Sequence, residues 1–286
     1  MTAWRATHVD KPLFPDDGIT KGDLLDYYER VADALLPHIA DRPLNLERYP
    51  DGIRGPRIHQ KQVPANAPAW LRRARIYAPT SARTITYAVG GSRRGLAYLV
   101  NLGAIEIHPW ACRIDRVDAP DRVIFDLDPN GVGMPELAAV ATAVRDALAS
   151  LGLRGYAKTS GGRGLHVYVP VRRGPSFDTV RAFADAVAAE VARSHPGCAT
   201  ASHRGTDKAG HVYIDTLRNG RAQTAVAPYS VRARPGAPVS TPLAWEEVAP
   251  GLDPRAFTLH TLPARLAGRG DLFRPVLEDR QALPKA

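Results

Sequence analysis

Two aspartates, Asp126 and Asp128, stand two residues apart in R-V-I-F-D-L-D, and a third, Asp215, closes the segment H-V-Y-I-D. A β-strand turns successive side chains to opposite faces, so Asp126 and Asp128 share one face while Val123, Phe125 and Leu127 share the other. By the same alternation Val212 and Ile214 oppose Tyr213 and Asp215. Cα atoms at i and i+2 of a strand lie about 6.5–7 Å apart. Carboxylates at that spacing can converge on one or two hard cations such as Mg²⁺ or Mn²⁺. Two such ions, about 3.5–4 Å apart, stabilise both the attacking and the leaving oxygen of an in-line displacement at phosphorus. D-L-D-P is also an ordinary strand end with an Asp-Pro turn. Against that reading, carboxylates at the end of an apolar strand are costly to bury without a cation or partner.

A second segment, S-G-G-R-G-L-H, supplies what a phosphate needs. Gly161, Gly162 and Gly164 let the backbone turn tightly and approach an anion closely. Ser160 can donate to a phosphate oxygen, Arg163 can pair with it, and His166 emerges on the following strand. The closing Lys-Ser/Thr of a Walker A loop is absent, and no dinucleotide fingerprint is complete. Taken singly, the glycines make a plain turn and His166 a structural histidine. Together with three strand aspartates they point to metal-dependent nucleotidyl transfer.

Positioning these groups requires a sheet. Thr20 is an N-cap, with Asp23 three residues on, for a helix expected from Lys21 to about His38 with a Leu24, Tyr27, Tyr28, Val31, Leu35 core stripe. Strand text follows around L-N-L-E-R-Y. The stretch A-R-T-I-T-Y-A-V-G-G-S-R-R-G is expected to be a hairpin with Gly90, Gly91, Arg93 and Arg94 at a mobile basic tip. A short helix is expected over 96–102, and amphipathic helices from Pro135 to about Leu151 and from about Phe177 to Ser194. The two long helices separate the three chemistry-bearing segments. Strand–helix–strand–helix–strand order predicts an α+β fold: a mixed sheet with helices on one side. Short helices are expected after Trp245, and R-A-R-P-G-A-P-V-S-T-P is expected to be a rigid loop. There is no internal repeat or low-complexity segment.

The set D-L-D, S-G-G-R-G-L-H-V-Y and V-Y-I-D resembles the three-motif signature of the archaeo-eukaryotic primase superfamily. It is most similar to the polymerase domain of bacterial ATP-dependent DNA ligase D and its free-standing relatives, here expected as a stand-alone primase-polymerase. The resemblance extends to L-F-P-D-D-G-I-T-K-G-D-L-L-D-Y-Y, R-P-L-N-L-E-R-Y-P-D-G and T-A-V-A-P-Y-S-V-R-A-R-P-G-A-P, covering about Lys11 to Leu272. It implies one primase-polymerase domain over 1–286, with an RRM-like catalytic core (about 121–286) joined to an N-terminal lobe (about 1–120). It also implies that Asp126, Asp128 and Asp215 are catalytic and bind two ions, Mn²⁺ or Mg²⁺. Ser160, Arg163, His166 and Arg232 are implied to bind the incoming nucleotide's phosphates, with His108 and Arg48 near the nucleotide. Lys11 and Lys21 match positions that hold the 5′-phosphate across a DNA gap, and Lys61 is a further candidate. Lys21 stands in the first turn of a helix, which favours a phosphate there. The family's paired phenylalanines before this last lysine are replaced by Ile58 and His59. A ring stacked on a base is worth about 1–3 kcal/mol, so that DNA contact is expected to be weaker and short-gap filling better suited than strict end bridging.

A formal net charge of +9 and 38 Lys+Arg against 29 Asp+Glu agree with a polyanionic partner. The 2 cysteines, Cys112 and Cys198, lack metal-ligand spacing and point to a reducing, cytoplasmic compartment near the nucleoid. The start M-T-A-W-R-A-T-H lacks a signal-peptide core, and no apolar run reaches the roughly 20 residues of a membrane helix. The expected activity is addition of nucleotides, with a family-implied preference for ribonucleotides, to primer 3′ ends at short gaps or breaks. Gapped DNA and NTPs or dNTPs are the expected substrates. No nucleotidyl-lysine motif is present, so a separate ATP-dependent DNA ligase is the expected partner. Two alternatives stand beside this: a metal-dependent nuclease or phosphoesterase, and a non-catalytic DNA-end-binding module.

Overall fold

The structure is a computed structural model that describes residues 4–202 and 204–284. The first residues of the start read above, Met1–Ala3, lie outside that range. In chain order the first half carries Pro12–Phe14 (β1), Ile19–Thr20 (β2), Lys21–Arg30 (α1), Ala32–Ile39 (α2), Pro43–Arg48 (β3), Ile58–Gln60 (β4), Arg73–Ala78 (β5), Arg83–Val89 (β6), Arg93–Asn101 (α3) and Ala104–Pro109 (β7). The second half carries Arg122–Asn130 (β8), Met134–Ser150 (α4), Tyr156–Thr159 (β9), Leu165–Pro170 (β10), Phe177–Ser194 (α5), Ala199–Thr200 (β11), Gly205–Lys208 (α6) and His211–Asp215 (β12). Leu262–Arg269 (α7) and Pro275–Glu278 (α8) follow, with short 3₁₀ turns before them, as expected for the closing segment.

The second half builds a mixed five-stranded sheet in the order β11-β12-β8-β10-β9, with only the β11–β12 pair parallel. Val123, Phe125 and Leu127 of β8 pack with Leu137, Val140 and Val144 of α4 and Val180, Ala184 and Val187 of α5. Both long helices therefore cover one face, and the aspartates are left on the other. That opposite face packs Ile124 and Tyr168 against Ala225, Phe273 and Val276. Register then fixes the chemistry. Asp215 pairs with Asp126 across β12–β8, Asp126 with His166 across β8–β10, and His166 with Lys158 across β10–β9. Four polar side chains from four strands thus form one row.

The first half builds a second five-stranded sheet. In it β3 pairs with β7 along one edge and with both β6 and β4 along the other. Its core also takes residues from far downstream, including Ala227, Tyr229, Val231, Val239, Leu259 and Leu262. Tyr28 explains part of that return. Its buried hydroxyl donates to Ile105 O (2.6 Å) and accepts from Val231 N (3.1 Å), tying Y-S-V-R to both α1 and β7.

Two expectations change. The single helix from Lys21 to His38 is two helices, broken at Val31, whose ψ of 2° leaves the helical range. Thr20 and Asp23 do form the capping box. Both pieces bury the stripe Leu24, Tyr27, Tyr28, Val31 and Leu35, which is why its periodicity reads through the break. The second change concerns Gly90–Arg94, which is not a mobile hairpin tip. The hairpin is β5–β6, turning at 79–82, and Ser92 caps α3 by accepting from Gly95 N. A Cβ on Gly90 would lie 2.3 Å from Ile39 O, so the glycine permits close backbone passage. Arg93 pairs with Glu29 and Asp33 at 2.6 Å each, and Arg94 lies 3.9 Å over the Trp70 ring. Both arginines thus have partners on the surface of the fold, at the start of α3.

Candidate active site

Asp126, Asp128 and Asp215 each offer an oxygen within 4.8 Å of the others. Asp126 and Asp215 are buried, and β8 carries Asp128 one step off that row, opposite Tyr213, where it is half-buried. His166 Nε2 lies 3.1 Å from Asp126 Oδ1, and Arg218 Nε lies 3.2 Å from Asp126 Oδ2. Burial alone would raise the Asp126 pKa, yet His166 and Arg218 hold it well below the usual carboxylate range. Asp128 behaves oppositely. Burial, then repulsion from Asp126 and Asp215, pushes its pKa up to about 6. Three crowded carboxylates, one of them resisting ionisation, form a donor set that a hard divalent cation would relieve. The residues present fit such an ion.

Burial, then the neighbouring Lys158 charge, lowers His166 to about 4. Its Nδ1 is buried without a hydrogen-bond partner among the described residues. Lys158 is wholly buried, and its amine donates to Ser240 Oγ at 2.5 Å. Burial drives its pKa well below the ordinary lysine value. Neither Lys158 nor Arg218 was singled out from the sequence. Arg218 stands three residues after Asp215, one helical turn away, which is the only signal it gave.

The glycine loop forms as expected. Ser160 Oγ accepts from the N–H groups of Gly162 and Gly164, each at 3.2 Å. Its own proton is therefore left to donate elsewhere. Gly161 adopts φ +70°, and a Cβ there would lie 2.6 Å from Arg232 Cγ. A Cβ on Gly164 would lie 2.4 Å from Leu127 O. Both glycines are thus needed to seat the loop against β8 and the segment 232–240. Arg163 is exposed at the tip, with no hydrogen-bond or ion-pair partner among the described residues.

Arg232 joins this loop from the downstream segment that packs into the first half's core. It donates to Ser160 O at 2.6 Å, and its Nε lies 3.0 Å from Glu106 Oε2. His108 Nε2 sits 3.0 Å from the same Glu106 oxygen, so His108 is brought into the group. Burial would raise Glu106, but the His108 hydrogen bond and the Arg232 charge hold it down at about 2. Glu106 was missed in the sequence, although I-E-I-H places it on the same strand face as His108. Arg48 is not brought in. Its guanidinium is spent on Leu102 O (2.8 Å) and Gln60 Oε1 (2.5 Å).

Lys11 and Lys21 form a separate basic point. Lys21 is buried and donates to Thr7 O at 2.9 Å, and Lys11 pairs with Asp51 at 2.7 Å. Burial, then the Lys11 charge, lowers the Lys21 pKa. Lys61 is exposed beyond β4. Of the residues replacing the paired rings, Ile58 is 42% exposed and His59 is held by Glu47 at 2.5 Å.

The chain is similar to known proteins over most of its length. The family model described as LigD, primase-polymerase domain, matches residues 20–273. The chain is 36% identical over 280 residues to the multifunctional non-homologous end joining protein LigD of Mycolicibacterium smegmatis, covering 96% of this chain and 36% of that protein. It is 29% identical over 270 residues to the bifunctional LigD of Bacillus subtilis, covering 93% of this chain and 43% of that protein. The chain thus spans about a third of the first of these relatives and under half of the second. The solved polymerase domain from Mycobacterium tuberculosis ligase D, in complex with DNA, superposes with a TM-score of 0.91 at 35% identity, covering 98% of this chain and 99% of that one. The family model over residues 20–273 and the superposition over 98% of the chain show that the chain belongs to the LigD primase-polymerase domain family of nucleotidyltransferases.

Proposed function

We propose that this domain adds nucleotides, by preference ribonucleotides, to a primer 3′ end at short DNA gaps or breaks that carry a 5′-phosphate. The observation that carries this reading is the single row Asp215–Asp126–His166, with Ser160 and Arg232 joined beside it by a 2.6 Å hydrogen bond. Asp126, Asp128 and Asp215 would hold the catalytic ions, two Mn²⁺ or Mg²⁺, which supply a lowered pKa at the primer hydroxyl and charge stabilisation at phosphorus. His166 fixes the Asp126 carboxylate by its 3.1 Å contact. Ser160 has a hydroxyl proton to give a phosphate oxygen, Arg163 brings an exposed positive charge, and Arg232 neutralises the departing pyrophosphate. Glu106 aims Arg232 and His108 toward that task.

DNA is the proposed polyanion: the solved neighbour is a DNA complex, and this chain carries +9. Lys11 and Lys21 are the proposed 5′-phosphate site, with Lys61 beside the DNA path. Two adjacent ammonium groups, one of them losing pKa to burial, are a setting that an anion stabilises. An ATP-dependent DNA ligase activity would seal the product, and residues 1–286 would act as one primase-polymerase domain in the nucleoid region.

Extension of a labelled primer across a one-nucleotide gap, with and without the far-side 5′-phosphate, tests this reading. Wild type is expected to prefer ribonucleotides and to lose about tenfold or more when the phosphate is omitted, a loss on the scale of one charge-assisted contact. Lys21→Ala is expected to be indifferent to the phosphate. Equal use of both gaps by wild type would remove the proposed phosphate site. Cleavage of DNA without nucleotide addition would favour a nuclease instead.

A further inference from the structure

Arg218 belongs to neither phosphate-binding group, yet it reaches two of the three carboxylates. Its Nε lies 3.2 Å from Asp126 Oδ2 and its Nη2 lies 3.4 Å from Asp215 Oδ2. The remaining oxygen of each carboxylate is held by a fixed partner. Asp126 Oδ1 faces buried His166 at 3.1 Å, and Asp215 Oδ1 accepts from Leu217 N at 2.8 Å. Asp128's carboxylate has no hydrogen-bond or ion-pair partner among the described residues. The oxygens that converge are therefore divided between rigid contacts and one guanidinium.

That guanidinium is the part able to yield. The Arg218 side chain is 37% exposed, whereas those of Asp126 and Asp215 are 11% and 7% exposed. Its backbone, by contrast, is pinned. Arg218 lies in the 3₁₀ turn Leu217–Asn219, and the buried Asn219 amide bonds both Ile124 N (2.8 Å) and Ile124 O (2.7 Å). A long side chain on a fixed backbone can swing toward solvent without moving the strand that carries Asp126.

Resting on the reading of these aspartates as a metal site, we propose that Arg218 is a displaceable counter-ion of that site. It occupies Asp126 Oδ2 and Asp215 Oδ2 until a divalent cation takes them, and then turns outward. Cation and guanidinium compete for the same oxygens, so the chain needs more metal than it would without Arg218. Charge-assisted contacts of this kind correspond to roughly tenfold or more in a binding constant.

Mn²⁺ binding to the nucleotide-free chain, read from the electron paramagnetic resonance signal of free Mn²⁺, tests the proposal without any turnover. Arg218→Gln is expected to bind Mn²⁺ about tenfold or more tightly than wild type, with Arg218→Lys between them. Unchanged or weaker binding by Arg218→Gln overturns the proposal. A second measurement needs no neutral variant. The Arg218 Nε–H NMR resonance of wild type, assigned by its loss in Arg218→Lys, is expected to shift as Mg²⁺ saturates the site. Saturation that Asp126→Asn abolishes, with the arginine resonance unmoved, also overturns it. Absence of Mn²⁺ binding in wild type and Arg218→Gln alike would overturn the metal-site reading itself.

Discussion

Glu106 controls two basic side chains at once, because Arg232 and His108 both meet its Oε2 at 3.0 Å. Replacing it by Gln removes the charge that aims Arg232, and KM for the nucleotide is expected to rise about tenfold with a smaller change in kcat, measured by steady-state extension. The same residue gives a pH signature. Its pKa is depressed to about 2 in the fold, so the unfolded chain binds more protons between that value and the usual carboxylate pKa. The stabilisation it provides is present above about pH 4.5 and is lost as pH falls toward 2. Thermal melts from pH 5 to pH 3 are expected to show a smaller drop in Tm for Glu106→Gln than for wild type. Gly164→Ala is a harsher change, since its Cβ would meet Leu127 O at 2.4 Å. We expect about 3 kcal/mol or more of destabilisation in denaturant melts. At this scale the sequence displayed the aspartates and the glycine loop because residue type and alternation announce them. Glu106, Lys158 and Arg218 stayed hidden because their roles come from what lies across the sheet.

The turn Leu217–Asn219 shows how much a small element carries. Asn219 is 1% exposed, and its side chain bonds both backbone groups of Ile124 as well as Thr216 O. Asn219→Ala would leave a buried N–H and C=O of β8 unsatisfied. The expected cost is about 2–4 kcal/mol by chemical denaturation, from the loss of these buried hydrogen bonds. Strand alternation alone put Asp126 and Asp128 on the face away from α4 and α5. Placing Asp215 opposite Asp126, with His166 on the other side, needs register, which depends on pairing that no single segment encodes. The basic segment at Gly90–Arg94 misled for a related reason. Glycines beside arginines describe a solvated tip equally well, and the helix start shows in the Ser92 cap and in the Glu29 and Asp33 partners of Arg93 on other elements.

Over the whole molecule, the chain after β12 returns to complete the first half's core, bringing Arg232 within reach of Ser160. The active site therefore depends on both halves, and the local patterns that reveal each half say little about their joining. Family text along the chain conveyed what local patterns could not. The excess of basic residues belongs to this scale too. If DNA is the partner, its affinity is expected to fall linearly with log salt, by a slope of about 0.9 for each duplex phosphate contacted, measured by fluorescence anisotropy. Lys21→Ala is expected to lower that slope by about one unit on a gap bearing the 5′-phosphate. The most direct test of the central claim is metal-dependent primer extension by wild type and by Asp126→Asn with Asp128→Asn, both checked for folding by their melts. Addition by wild type, with a loss of at least about a thousandfold in the double variant, is the expected result. Extension that survives the loss of both carboxylates would contradict the assignment of this aspartate row as the catalytic centre.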